Sequence, residues 1–252
     1  MKKFDSDTDA LIAREKLNRD AVYDLEDWIF SQVNLKNKRR ILDLGCGTGK
    51  QVFALAKRVS PEVYISGIDI SQDAVLKVNE RIQKENIANA KAFECSLDGV
   101  FDFFKGQKFD LIVSTYAIYY SKDMVKLLSS LPSILNSEGE VFICGYGDGS
   151  NKEIHELINN TTYEGSKSES TGDFISKVNI EKIGSHYNSF QTMVLSNKVN
   201  FHSVADVMNW WENHNSYVPS IRTSIADQLE KHFEKNDIFS LSKNVLGLRY
   251  DI

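Results

Sequence analysis

The sequence predicts an α/β protein in which a doubly wound, mostly parallel sheet carries helices on both faces and a helical cap. Short apolar segments alternate with amphipathic segments of helical period from Ile41 to Gly147. The apolar segments are nearly continuous, which is typical of strands buried on both faces. A chain of 252 residues that is 42% hydrophobic can form one large domain with its own core. Ligands of such sheets bind at the carboxyl ends of the strands, so we expect the functional site there.

The segment 39–147 contains the predicted core of the sheet. Its five strands are predicted, in order, at RRILDLG, VYISGIDI, AKAFECS, FDLIVSTYA and GEVFICGYG. The helices between them are predicted at KQVFALAKRV, over 72–85 and over 124–135. Ser71 is positioned to cap the second of these helices, and Pro132 is expected to interrupt or end the third.

The flanks of this core are predicted to complete one domain over 1–252. Residues 1–38 form the helical cap, and 148–189 form a lid whose helix begins at a capping box made by Ser150 and Glu153. Residues 190–252 are expected to complete the sheet and to add helices. The elements predicted there are a strand over 190–201, helices over 203–213 and 220–233, and a possible edge strand at KNVLGLRYD.

Composition and charge exclude several classes of partner. The net charge is -5, and the longest basic cluster, Lys36 to Arg40, is expected to be a solvated loop, so no nucleic-acid partner is predicted. No apolar leader and no run of about 18 apolar residues is present, so no membrane segment is expected. Three cysteines without a CxxC pair predict free thiols in a cytoplasmic protein. His202, His214 and His232 lack metal-ligand spacing, so no metal is predicted.

The stretch ILDLGCGTGK, from Ile41 to Lys50, carries the main functional signal. Its glycines fall at Gly45, Gly47 and Gly49, where a strand turns into a helix. Glycines allow a tight turn and close approach of the backbone, and the helix start offers free N–H groups to a carboxylate, phosphate or ribose. The GxGxG spacing fails the dinucleotide fingerprint because Lys50 stands where its third glycine belongs. A triphosphate loop also fails, since Gln51 takes the hydroxyl position.

Asp69 ends the second strand in GIDIS, about twenty residues past the loop, where a carboxylate can hold both hydroxyls of a ribose. Together with FECSLDG, FDLIVSTYAIYY and LPSILNSEGEVFI, these motifs resemble the class I S-adenosylmethionine-dependent methyltransferases. The resemblance covers roughly residues 40 to 147. It implies a Rossmann-like, seven-stranded sheet, S-adenosylmethionine as cofactor and S-adenosylhomocysteine as product.

The resemblance also implies which residues bind the cofactor. Asp43 would orient the loop and reach the methionine amino group, while Gly45, Cys46 and Gly47 would line the methionine portion. Asp69 would hold the ribose. The remaining implied contacts are Ile70 packing on the adenine, Ser96 and Leu97 at the adenine edge, and Thr115 and Tyr116 beside the transferred methyl group. Family members often carry an aspartate near Ser96, so here Ser96 or nearby Asp98 would serve.

Methyl transfer is an in-line displacement in which the protein chiefly positions the acceptor and excludes water. An oxygen acceptor of high pKa needs a base, whereas a neutral amine does not. Tyr119 and His155 are the candidates for such a catalytic role. The candidates for acceptor binding are Tyr23, Tyr120, Tyr146 and His186. Core packing is the alternative for each tyrosine, and because Tyr119 and Tyr120 are adjacent we expect only one of them to face the cavity.

Three functions stay open at this stage. The favoured one is a monomeric or homodimeric enzyme that methylates an N or O atom of a small polar metabolite. A second is a methyltransferase acting on RNA, DNA or protein, although the DPPY-type motif of amino-methylating DNA enzymes is absent and TYAI stands in its place. A third is a non-catalytic scaffold that binds the cofactor.

Overall fold

The computed structural model describes residues 21–163, 183–214 and 216–252, and these form two compact units. The sheet unit comprises residues 25–145, 183–193 and 246–252. The ribbon unit comprises residues 21–24, 146–163, 194–214 and 216–245. No helix in the described residues is long and apolar enough to cross a membrane.

The described strands form one large sheet and one small ribbon. They are β1 (Arg40–Leu44), β2 (Tyr64–Asp69), β3 (Ala90–Glu94), β4 (Phe109–Thr115), β5 (Leu135–Tyr146), β6 (Ser189–Leu195), β7 (Lys198–Phe201), β8 (Phe239–Ser242) and β9 (Val245–Asp251). The seven-stranded sheet has the order β3-β2-β1-β4-β5-β9-β6, and β7 pairs with β8 in an antiparallel ribbon. The predicted fold class, a mostly parallel seven-stranded sheet with flanking helices, is confirmed.

The helices of the described residues alternate with the strands from β1 to β5, as the sequence predicts. They are α1 (Leu25–Ser31), α2 (Lys50–Arg58), α3 (Gln72–Lys84), α4 (Val100–Phe103), α5 (Met124–Ser130), α6 (Lys152–Asn159), α7 (Val204–Glu212) and α8 (Arg222–Phe233). The Ser71 hydroxyl accepts a hydrogen bond from the Ala74 N–H and caps α3, as predicted. The α5 helix ends at Ser130, and Pro132 lies in the short 3₁₀ turn that follows.

Strand order places the functional edge between β1 and β4. The pairs β1–β2, β2–β3, β1–β4 and β4–β5 are all parallel, so their carboxyl ends lie at one edge of the sheet. The chain runs outward from β1 to β3 and then returns to β4 on the other side of β1. Strand order therefore reverses beside β1, which is where an open α/β sheet binds its ligand.

The predicted edge strand at the carboxyl end of the sequence is wrong. The β9 strand lies between β5 and β6, with Leu248 and Tyr250 fully buried. It runs antiparallel to β5, because the Ile252 N–H donates to the Gly139 carbonyl near the start of that strand. The edge position belongs to β6, whose side chains are mostly exposed.

The single strand predicted over 190–201 is also wrong, because the structure divides it. The β6 strand joins the seven-stranded sheet and β7 joins the ribbon. Asn197 lies between the two strands, and its side-chain amide binds both the N–H and the carbonyl of Tyr23. Where the strand is interrupted, the Asn197 amide therefore has its hydrogen-bond partners in a residue far away in the sequence.

The capping box predicted at Ser150 and Glu153 does not form. The Ser150 hydroxyl donates to the Asn244 carbonyl, and the Glu153 carboxylate accepts from the N–H and hydroxyl of Ser242. The residue that precedes α6 is Asn151, which has a left-handed backbone (φ 59°) and no side-chain cap bond. Both polar side chains of the motif therefore hold the chain that enters β9 instead of capping the helix.

The ribbon unit has a core of its own. It is built from α6, α7, α8 and the two ribbon strands around Trp210 and Trp211, both fully buried. Because α6, α8 and the ribbon all pack against α7, both adjacent tryptophans are buried.

Candidate functional site

The loop of residues 45–49 joins β1 to α2 at the carboxyl edge of the sheet. The N–H groups of Gly45 and Cys46 both donate to the Ile68 carbonyl, each at 2.8 Å, so the loop is tied to the end of β2. All three glycines have positive φ, at 76°, 50° and 80°. A Cβ on Gly45 would lie 2.3 Å from the Ala117 Cβ, so the loop backbone and the segment after β4 touch only because residue 45 is glycine.

Asp43 is the last but one residue of β1, and its carboxylate is buried beneath this loop. Its side chain is 1% exposed, and neither carboxylate oxygen has a hydrogen-bond partner among the residues the structure describes. Burial, together with the charge of Asp69, raises the pKa of Asp43 to about 8. A buried carboxylate without a partner is costly, and a cationic group from a ligand would compensate it.

Asp69 holds the loop and the start of α3 with the two oxygens of one carboxylate. One oxygen accepts from the Gly47 N–H at 2.8 Å and the other from the Ser71 N–H at 2.9 Å. Each carboxylate oxygen can accept a further hydrogen bond, and the side chain is only partly buried, so vicinal hydroxyls can still bind. The bond to Gly47 is a loop-positioning contact that the sequence did not reveal.

Ile70 and Cys46 are the next residues beside Asp69 and the glycine loop. Ile70 is 59% exposed directly after Asp69, as a residue offering an apolar face to a flat ring would be. Cys46 is buried, with its sulfur against Gly67, where an added Cβ would lie 3.0 Å away. Burial and the charges of Asp43 and Asp69 raise the pKa of the Cys46 thiol, so this cysteine stays protonated and packs as a small apolar residue.

Ser96 and Leu97 lie just past the end of β3, beside Asp69. The Cys95 N–H donates to the Asp69 carbonyl, and the Ser96 hydroxyl accepts from the Gly99 N–H at 3.1 Å. Asp98 points elsewhere, because its carboxylate accepts from the Ser121 hydroxyl and the Lys122 N–H. Of the two polar candidates for this edge, Ser96 is therefore the better placed.

The segment after β4 carries aromatic side chains to the same edge. Thr115 ends the strand, and the Tyr116 N–H donates to the Cys144 carbonyl at 2.8 Å. Tyr116 has φ 55°, a conformation uncommon for residues other than glycine and enriched at functional sites. The rings of Tyr119 and Tyr120 contact each other, with their centroids 4.7 Å apart, and Tyr120 is 46% exposed.

His186 does not join this site. It is exposed in a turn followed by Asn188, whose N–H donates to the Asp251 carbonyl at the end of β9. Because β9 runs antiparallel to β5, that end lies at the sheet edge opposite the glycine loop. His186 therefore lies away from the glycine loop, and its role in acceptor binding stays a prediction.

Two predicted acceptor residues, Tyr23 and Tyr146, and the predicted catalytic candidate His155 belong to the ribbon unit. Tyr23 is 56% exposed and is held by its backbone contacts with Asn197. Tyr146 ends β5 and is partly buried. His155 is buried on α6, and burial lowers its pKa, so the imidazole is neutral near pH 7.

Two further residues of the site were missed in the sequence. Gln51, in the first turn of α2, is buried, and its carbonyl oxygen has no hydrogen-bond partner in the described part of the chain. Ser114 fixes the end of β1, because its hydroxyl donates to the Leu44 carbonyl at 2.8 Å. The sequence carried no signal for either residue, because the burial of Gln51 is visible only in the structure and Ser114 looks like any other strand residue.

Comparisons with known proteins agree with this geometry. A family model described as a methyltransferase domain matches residues 35–187, which is more than half of the chain. The chain therefore belongs to this family, the class I S-adenosylmethionine-dependent methyltransferases. Its cofactor is S-adenosylmethionine.

Individual relatives match over shorter stretches. The chain is 34% identical over 91 residues to a tRNA1(Val) (adenine(37)-N6)-methyltransferase of Actinobacillus pleuropneumoniae, covering 36% of this chain and 37% of the relative. It is 26% identical over 102 residues to the aklanonic acid methyltransferase of a Streptomyces species, covering 40% of this chain and 46% of the relative. The chain thus spans less than half the length of the curated relatives it matches.

A solved structure shares the fold over nearly the whole chain. It is a phosphoethanolamine N-methyltransferase 2 of Haemonchus contortus in complex with phosphomonomethylethanolamine and S-adenosylhomocysteine. The TM-score is 0.59 at 17% identity, and the match covers 97% of this chain and 57% of that one.

The residues at the loop fit this cofactor. The buried, unpartnered carboxylate of Asp43 suits a methionine ammonium group, and Asp69 retains acceptor capacity for the ribose hydroxyls. When bound, the cofactor supplies a methyl group already activated on a sulfonium sulfur.

Proposed function

We propose that the chain transfers the methyl group of S-adenosylmethionine to an N or O atom of a small polar metabolite. The observation that carries the proposal is the placement of charge. The chain is acidic overall, with 35 acidic and 30 basic side chains. Its longest basic cluster, Lys36 to Arg40, leads into the amino end of β1, at the opposite edge of the sheet from the glycine loop. A polyanionic acceptor would require positive charge near the reacting methyl.

The aromatic segment after β4 supports an acceptor of modest size. Tyr116, Tyr119 and Tyr120 combine apolar rings with hydroxyl groups, which is typical of pockets that bind small polar molecules. For an oxygen acceptor we propose Tyr119 or His155 as the base. Turnover by a His155→Gln variant separates the two candidates, because glutamine can still form hydrogen bonds but cannot accept the proton. Turnover should be lost if His155 is the base and kept if Tyr119 is the base.

We also propose that the chain works in the cytoplasm, as a monomer or a homodimer, and as a single domain. The three cysteines are free thiols, which supports a reducing compartment. Size-exclusion chromatography with light scattering tests the oligomeric state, and a larger assembly would overturn that part of the proposal.

A screen of pooled metabolites, monitored by release of S-adenosylhomocysteine, tests the acceptor class. We expect turnover with at least one small polar acceptor and none with bulk RNA. Turnover with RNA and not with metabolites would overturn the small-molecule proposal. Cofactor binding that never leads to turnover with any acceptor class would instead favour the non-catalytic scaffold.

An RNA acceptor is the second candidate, because the similar Actinobacillus protein is named as a tRNA methyltransferase. A gel-shift titration with bulk tRNA at two salt concentrations separates the candidates. Salt-sensitive binding at micromolar protein would favour RNA, since released counterions give that dependence.

A further inference from the structure

Asp98 connects two segments that follow neighbouring parts of the sheet at its carboxyl edge. It lies in the short 3₁₀ turn Leu97–Gly99, which comes after β3. One carboxylate oxygen accepts a hydrogen bond from the Ser121 hydroxyl at 2.7 Å, and both oxygens face the Lys122 N–H, at 3.3 and 3.2 Å. Ser121 and Lys122 directly follow the 3₁₀ turn Ile118–Tyr120. A single side chain of the sheet unit therefore joins the turn after β3 to the turn after β4.

Ser121 extends this connection to the start of α5. While the Ser121 hydroxyl donates to Asp98, its oxygen accepts from the Asp123 N–H at 3.2 Å. The Asp123 carboxylate in turn caps α5, because it accepts from the Lys126 N–H at 2.9 Å. The end of the turn Ile118–Tyr120 is thus held from two sides, by Asp98 and by the beginning of α5.

The start of the same segment is packed against the glycine loop. A Cβ built on Gly45 would lie 2.3 Å from the Ala117 Cβ and 4.0 Å from the Leu97 Cδ2. The glycine loop therefore meets both the segment after β4 and the turn that contains Asp98. The aromatic segment, residues 116–120, is fixed near its start by the glycine loop and at its end by Asp98.

The contacts of Asp98 are made at the surface of the molecule. Asp98 and Lys122 are exposed and Ser121 is partly buried, so these hydrogen bonds contribute little to the stability of the fold. Their effect on the position of Tyr119, two residues before Ser121, is of a different kind. A displacement of about 1 Å at a group that contacts a reacting molecule can lower turnover by about a hundredfold.

We propose that Asp98 is a positioning residue for methyl transfer, which holds the aromatic segment in place beside the bound methyl donor. This inference rests on the proposed function, in which the aromatic segment contacts the acceptor. Because the Asp98 carboxylate is directed to Ser121 and Lys122, the polar group left for the adenine edge is the Ser96 hydroxyl. The loss of Asp98 should therefore affect the transfer step and leave the affinity for the cofactor nearly unchanged.

Steady-state kinetics with an acceptor from the metabolite screen test this role. Asp98→Ala should lower kcat by about tenfold or more, while the dissociation constant of S-adenosylhomocysteine changes by less than about threefold. Asp98→Asn should recover most of the loss, because its side-chain oxygen still accepts from the Ser121 hydroxyl. Asp102→Ala, at an exposed position of α4, is the matched control and should turn over like the wild type.

Two results would overturn the proposal. Equal kcat in Asp98→Ala and Asp102→Ala would show that the link has no part in the transfer step. A loss of S-adenosylhomocysteine affinity as large as the loss of kcat would assign Asp98 to cofactor binding instead.

A double variant tests whether Asp98 acts through Ser121. Ser121→Ala removes the donor of the shortest hydrogen bond to Asp98. Since both substitutions break the same contact, Asp98→Ala combined with Ser121→Ala should lower kcat no further than the larger of the two single losses. Losses that multiply would contradict a link through Ser121.

Fluorine nuclear magnetic resonance of fluorotyrosine-labelled protein tests the position of the segment without any turnover, and Tyr119→Phe assigns the Tyr119 signal. We expect saturating S-adenosylhomocysteine to shift this signal in the wild type and in Asp102→Ala. In Asp98→Ala we expect a smaller shift, or several signals in place of one, because the segment is no longer held in one position. The same response in all three proteins would overturn the inference.

These measurements separate the inference from the proposed function. Methylation of a small metabolite at equal rates by the wild type and Asp98→Ala would sink the inference and leave the proposed function standing. The expected fluorine signals without methylation of any small molecule would do the reverse.

Discussion

The buried carboxyl group of Asp43 lowers the stability of the folded protein at high pH and leaves a group that a cationic ligand can bind. In the folded protein its carboxyl group keeps its proton up to about pH 8, whereas its usual pKa is 3.8. The folded state therefore binds more protons than the unfolded state between these values. The contribution of Asp43 to stability is fully present below about pH 4 and is lost as the pH rises through 8.

We predict that Asp43→Asn raises the melting temperature more at pH 8 than at pH 5 and weakens binding of S-adenosylhomocysteine. The variant removes a buried charge, and with it the partner for the ligand's ammonium group. Thermal melts at both pH values and calorimetric titration check the two effects. A gain in melting temperature that does not depend on pH would contradict the assigned pKa.

Gly45 can be compared with Gly106, which has nearly the same φ angle but open space where a Cβ would stand. Their φ angles are 76° and 77°, and a Cβ at Gly106 would meet nothing within 4 Å. We predict that Gly106→Ala lowers the free energy of unfolding by about 1 kcal/mol, from backbone strain alone. Gly45→Ala should cost about 2–4 kcal/mol, because its Cβ also collides with Ala117. Urea denaturation measures both, and equal losses would show that the close approach at residue 45 is not needed.

At the scale of elements, Asp110 joins three segments at the amino edge of the sheet. Its carboxylate accepts from the N–H groups of Arg39 and Arg40, at 2.7 and 2.8 Å, and from the Asn136 side chain at 2.6 Å. Burial raises the pKa of Asp110, but the hydrogen bonds from Arg39, Asn136 and Arg40 outweigh it and hold the pKa below 3.8. The starts of β1, β4 and β5 are thereby held together by one side chain.

We predict that Asp110→Asn destabilises the fold by about 1.5–3 kcal/mol at pH 7, because an amide cannot accept all of these bonds with a negative charge. A lowered pKa gives stability that is present above pH 4 and lost as the pH falls through the folded pKa, so the difference should shrink in acid. Asp73→Asn is the control, since the exposed pair of Asp73 with Lys77 should contribute little. Equal losses from both variants in urea titrations would contradict this role.

The elements that could be predicted from sequence are those whose signals are local. Most strands of the core were found because they are nearly continuous apolar runs, although β3 contains Lys91 and Glu94, and α3 was found because Ser71 caps it within the same segment. The errors concern partners far along the chain. The position of β9 depends on strand order, the break at Asn197 on Tyr23, and the use of Ser150 on Asn244. The local pattern of apolar and polar residues carries no information about such long-range contacts.

The site of the whole molecule also combines residues with local sequence signals and residues that depend on contacts between distant segments. The cofactor loop and Asp69 are contiguous motifs, so their residues could be named from spacing alone. Tyr116's left-handed backbone, the tie from Asp69 to Gly47 and the link of Asp98 to Ser121 arise only when separate segments meet. The methyl donor was therefore predictable, and the acceptor was not, because one fold accommodates many acceptors.

Calorimetric titration of S-adenosylhomocysteine into the wild type and Asp69→Ala tests the central claim, that the glycine loop and Asp69 hold the methyl donor. Asp102→Ala, at an exposed position of α4, is the control. We predict saturable binding by the wild type and Asp102→Ala with a dissociation constant well below about 1 mM, and binding at least about tenfold weaker in Asp69→Ala. No binding by the wild type at millimolar ligand, or equal affinity in Asp69→Ala, would contradict the account.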